Sequence, residues 1–418
     1  MSIQNSVATA IASVLVSDAA LASTGGDRLR EILTHANDQH HILFGRGLVN
    51  HASQTTVALA VLGSPEGRLT DFLAAYALDS GYGKLEPVPP LPEDTPAAID
   101  GGHFSSPEEA IAALQQRFSG LLHRSDRSAI FRPLTCFWEA LITRFGPAAV
   151  VNSAVPHLVS ALFTSAFHPL IHLGLSLKSS CLRTLAEALA LAFISPLYIP
   201  STPGSLLATG ITGDCLPAME LSLQEIVGQV REHPWPPIEG AGFHMKNSFL
   251  LGDSARVKWL AELVMAWKLA PALGDDLRAL EWVSAAAFAG HFDKGCDFFL
   301  VHGITSLWAL KALLTNLEGD VSLQQALLRH YLFFLLSAYI IQGAPLPATS
   351  VPGAPPPPSD LAALLEHARA SNDEHIPKLA AALLECAAVA SSEERSQFFI
   401  DVLKHSLDNL PTPDSYLF

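Results

Sequence analysis

Seventeen histidines in 418 residues are the chain's richest source of chemistry, because imidazole is the commonest side-chain ligand of transition metals. Four of them stand in apolar surroundings. His51 opens HASQTTVALAVLG, at the start of an apolar helix. His168 and His172 share FHPLIHLGLSL, at a spacing that turns both rings to one side of a helix. Pro169 between them fits a first helical turn, with His168 as the cap. His302 lies in FFLVHGITSLWAL. One buried histidine with a hydrogen-bond partner is an ordinary core residue. Four such sites, two of them one turn apart, point to a metal.

Lys311 is the only formally charged residue between His302 and Glu318. Burial disfavours an ammonium, and the neutral amine it leaves can take up carbon dioxide as a carbamate, an anionic oxygen ligand. The alternative is a stem laid on apolar surface with its head in water. His302 and Lys311 lie about two and a half turns apart, on opposite faces of an unbroken helix. A break at Gly303, with Thr305 or Ser306 as a new cap, brings both inward. His244 and His330 are the reserve ligands. His35, His103, His123, His233, His367, His375 and His405 sit among polar residues or proline loops and are read as solvated, while His40 and His41 are read as structural.

Other chemistries lack their signatures. There is no GxGxxG after a strand, no GxxxxGK[ST], no GxSxG and no CxxC pair. The five cysteines, Cys136, Cys181, Cys215, Cys296 and Cys386, are irregularly spaced, which fits reduced thiols and a cytoplasmic setting. The N-terminus lacks the pattern of a secretory signal.

The elements that must position these residues read as helices. Apolar residues recur at three- and four-residue spacing, as in Leu260, Leu263, Val264 and Trp267. Ser106-Pro107 before Glu108 and Glu109, Ser359-Asp360, and Ser391-Ser392 are helix starts. Useful alternating strand patterns are absent, so the expected class is all-α. The expected organisation is one compact domain over 1–418 with long proline-rich loops (Pro87 to Pro96, Pro234 to Pro237, Pro345 to Pro358), residues 359–418 forming a possible C-terminal helical subdomain. With 25 basic and 40 acidic residues the net charge is −15, which argues against nucleic acid as a partner. Mean hydropathy of +0.30 excludes disorder. Uncharged apolar stretches such as Tyr331 to Ile341 are too short to span a membrane.

Assembled in order, GLVNHASQTTVALAVLGSPEGRLTDFLAAYALDSGY, FHPLIHLGLSLKSSCLRTLAEALALAFISP, and DFFLVHGITSLWALKALL followed by LLRHYLFFLLSAYIIQGAP resemble the questin oxidase-like family of fungal and bacterial proteins. The resemblance runs from about residue 40 to about 345. It implies an all-helical oxygenase that opens a ring of an anthraquinone-type polyketide in secondary metabolism, by Baeyer–Villiger-like oxidation or oxidative C–C cleavage. In the iron-dependent version, Fe(II) is held by His51, His168, His172, His302 and the carbamate of Lys311, with dioxygen as co-substrate. The rival readings are an NADPH-dependent Baeyer–Villiger-type monooxygenase and a non-catalytic helical scaffold. Phe298, Phe299, Trp308 and Phe163 are the expected pocket walls. Two positions depart from the family pattern: Gln54, where a second histidine is common, and Lys178, where an acid is common.

Overall fold

The computed structural model describes residues 3–22, 26–45, 48–91, 104–118, 128–195, 220–238, 242–317, 319–351 and 361–410. His103, His123 and Cys215 lie outside them, as do the Ser359-Asp360 helix start and parts of the first and last proline-rich stretches. Among the described residues the fold is all-α apart from one antiparallel pair, β1 (Leu43–Phe44) and β2 (Leu48–Val49). The helices before residue 200 are α1 (Ile3–Val14), α2 (Asp18–Ala22), α3 (Asp27–Gln39), α4 (Ala52–Val61), α5 (Glu66–Leu78), α6 (Pro107–Phe118), α7 (Ser128–Phe145), α8 (Pro147–Leu162), α9 (His168–Ser179) and α10 (Leu182–Ile194). Those after it are α11 (Leu223–Glu232), α12 (Gly242–Leu251), α13 (Ser254–Met265), α14 (Leu273–Ala289), α15 (Phe298–Asn316), α16 (Val321–Ile341), α17 (Leu361–Ala370), α18 (Ile376–Ala388) and α19 (Glu393–Asn409).

Side-chain caps set several of these starts. Ser222 and Glu225 form a reciprocal capping box on α11. Asp253, Asp320 and Ser392 each accept backbone N–H bonds at the starts of α13, α16 and α19. Ser106 accepts from the Glu109 N–H at the start of α6, as its sequence indicates.

Internal contacts group the chain into two compact units. One comprises residues 16–196 and 309–319, the other 1–15, 197–308 and 320–418. In the first, α10 packs on α7, α8 and α9, and α4 lies against α3, α5 and α9. Every residue of α4 is buried, so its small and apolar side chains serve contacts all round. In the second, α16 packs on α12, α13 and α14, while α18 packs on α1, α17 and α19. The C-terminal helices are grouped with the second unit.

The chain passes between the units within α15. That helix is long and apolar enough by length and composition to cross a bilayer, yet 78% of its apolar window is buried among the described residues.

A close approach fixes α9 in the first unit. A Cβ on Gly174 would lie 2.2 Å from the carbonyl oxygen of Ala309, a backbone atom that cannot swing away. Gly174→Ala is therefore expected to destabilise the protein by about 2–3 kcal/mol, read as a lowered denaturation midpoint at unchanged slope. A midpoint equal to wild type would contradict the contact.

Candidate metal centre

The first unit brings His51, His168 and His172 together. The His51 ring centroid lies 4.6 Å from that of His168 and 6.3 Å from that of His172, at steep interplanar angles of 78° and 85°. His51 and His172 are buried and His168 is half-buried.

Each has a local reason for its place. His51 stands at the N-terminal boundary of α4. Asn50 braces it: its Oδ1 accepts from the Ala52 N–H at 2.9 Å and its Nδ2 donates to the His41 carbonyl at 3.2 Å. The His51 N–H donates to the Tyr76 hydroxyl at 3.3 Å.

His168 follows three successive left-handed residues, Ser165, Ala166 and Phe167, with φ of 49°, 53° and 66°. Such backbone costs of order 1 kcal/mol or more per residue outside glycine and persists where surroundings enforce it. Phe167, not His168, occupies the cap position, and Pro169 sits in the first turn. The strained turn brings the Ser165 carbonyl onto His168 Nδ1. A carbonyl only accepts, so Nδ1 carries the proton and Nε2 keeps the lone pair a metal needs. His172 follows one turn later on α9.

Polar groups near these helices are structural. Lys178 is buried and donates to both carboxylate oxygens of Asp18 at 2.9 and 3.0 Å. Buried Glu187 is pushed well above the usual carboxylate range by burial, against the pull of Arg183.

The second unit holds a second set. His302 is fully buried in α15, and its Nδ1 bonds the Phe298 carbonyl at 2.7 Å. The same reasoning therefore leaves Nε2 as its lone-pair atom. Its ring lies 5.0 Å from that of His375, and the Phe298 ring lies 4.7 Å from each.

His375 corrects the sequence reading, for it is 2% exposed and not solvated. The acids flanking it fold back on it: Asp373 Oδ1 accepts its N–H at 2.7 Å and lies 3.5 Å from its Nδ1, while Glu374 lies 3.5 Å from its Nε2. Burial raises Asp373, but the hydrogen bonds and charge of His375 outweigh it and hold that carboxyl low.

One turn along, Lys378 is fully buried. Burial lowers its ammonium to about 8, against the upward pull of Glu374 and Asp373. Sequence reasoning missed this lysine because charged neighbours disguised it. The available signal was the i,i+3 pair His375 and Lys378 heading an apolar helix, HIPKLAAALL.

Lys311 is half-buried, and α15 runs unbroken from Phe298 to Asn316. No break occurs at Gly303, so His302 and Lys311 stay on opposite faces, about 13 Å apart along the axis. They do not share one ion. Of the reserves, His330 is buried, its Nδ1 bonds the Ala326 carbonyl at 2.8 Å, and burial lowers it to about 4, which keeps it neutral. His244 lies on α12, its side chain outside the described atoms. Phe163 and Trp308 are buried core residues, whereas Phe298 and Phe299 are partly exposed.

The profile of the questin oxidase-like family matches residues 48–383, a span that holds both histidine sets and Lys378. Questin oxidase of Aspergillus fumigatus is 27% identical over 168 residues, covering 38% of this chain. The matched stretch spans 33% of that relative's own length. With most of its length matched, the chain belongs to the questin oxidase-like family.

Proposed function

We propose that the protein is a non-haem iron oxygenase that cleaves a C–C bond and opens a ring of an anthraquinone-type aromatic polyketide in secondary metabolism. The observation that carries this reading is the approach of the His51 ring to that of His168, with His172 one turn further on and the His168 Nδ1 proton held by a carbonyl. Imidazole nitrogens suit Fe(II), and an anionic oxygen ligand would complete the set. Fe(II) bound there would supply the means to activate dioxygen. The family resemblance adds His302 to the ligands.

The protein's own residues have separate tasks. The turn at Ser165–Phe167 fixes the tautomer and direction of His168, and Asn50 holds the start of α4 so that His51 faces α9. Burial keeps water from the His51 and His172 imidazoles, which strengthens any polar contact made there. Lys378, not Lys311, meets the conditions for a carbamate: complete burial and an easily reached neutral amine.

Ring cleavage by a dioxygenase places both oxygen atoms of O₂ in product and needs no external reductant. A Baeyer–Villiger-type monooxygenase needs two electrons from NADPH and releases one oxygen as water. Oxygen uptake with an anthraquinone substrate is therefore expected to require iron and to proceed without NADPH. Chelator-treated protein should lose it and Fe(II) should restore it. Full turnover by iron-free protein, or strict dependence on NADPH, would overturn the proposal.

A further inference from the structure

The first turn of α15 is built differently from the rest of that helix. Asp297 accepts the N–H groups of Phe299 at 2.9 Å and Leu300 at 2.8 Å, which locks the turn. Phe298 and Phe299 then sit edge to face, centroids 5.2 Å apart at 89°. Phe298 also meets His302 and His375 at 61° and 70°.

The two imidazoles are buried, while both phenyl rings are partly exposed. Phe298 thus connects accessible apolar surface to the buried pair. A flat aromatic molecule covering it would remove that surface from water and add ring–ring attraction. Because the Asp297 cap holds the turn, little ordering is left for binding to cost.

We propose that Phe298, supported by Phe299, is the stacking residue for the flat aromatic ketone and sets which ring systems the enzyme accepts. This rests on the substrate class proposed above. Stacking demands a planar π face of matching size, so an aliphatic side chain of similar bulk would fill the place without replacing the function. Asp297 acts as a positioning residue through the backbone of the turn.

The test uses full-length protein, chelator-treated and iron-loaded, titrated with 1,8-dihydroxyanthraquinone and followed by tryptophan quenching. Phe298→Ala should weaken binding about tenfold and Phe298→Leu about threefold, whereas Phe298→Tyr should stay within about twofold of wild type. Iron content and helix signal should match wild type in all three, which separates stacking from a general loss of fold. Wild-type affinity in both the Ala and Leu variants would overturn the role of Phe298 and leave the substrate reading intact. Wild-type protein that binds no anthraquinone would overturn the substrate reading, and this proposal with it.

Discussion

Lys378→Ala is expected to abolish the dependence of iron occupancy on bicarbonate, and Lys311→Ala to leave it intact. A fully buried ammonium is costly, and burial already lowers Lys378 to about 8 despite two acids in the same turn. Conversion to a carbamate exchanges that cation for an anion, which a bound cation must neutralise, so metal and modification should stabilise each other. Added bicarbonate should then raise the iron content of wild type and of the Lys311 variant, with no effect on the Lys378 variant. Labelling with ¹³C-bicarbonate should give a carbamate carbon resonance in the first two and none in the third. Half-buried Lys311 can keep its head near water, so its loss should change iron content by less than about twofold. A bicarbonate response that survives in Lys378→Ala would rule this lysine out. One that vanishes in Lys311→Ala would return the role to that residue.

The contrast between these lysines shows where sequence was informative and where it was not. Lys311 drew attention through its apolar neighbours along the chain. Burial, however, is decided across the chain: α15 turns Lys311 part-way out, whereas α18 buries Lys378 despite the adjacent Asp373 and Glu374. His375 was misjudged for the same reason. Its flanking acids looked like a solvated turn, yet they bond its own backbone and face its ring.

Features set by local periodicity were legible. The all-helical class, the caps at Ser106 and Ser392, and the one-turn relation of His168 and His172 follow from spacing alone. The contact between His51 and α9 is long-range and has no local signature; the family resemblance supplied it. The left-handed run Ser165–Phe167 was invisible, because none of those residues is a glycine and only surrounding packing holds them there. The two-unit organisation was also hidden, since each unit draws on separated segments of similar composition and the chain changes unit inside a continuous helix.

The central claim is that His51, His168 and His172 hold iron. Metal analysis of wild type beside His168→Ala and His172→Ala tests it most directly. Removing one imidazole from a set of few ligands should lower iron affinity by at least about a hundredfold, while α9 keeps its length because alanine is a strong helix former. Wild type should carry about one iron per chain and no flavin chromophore. Each variant should lose nearly all its iron with helix content unchanged by circular dichroism. Iron retained at the wild-type level in both variants, or wild-type protein that binds no iron, would contradict the account.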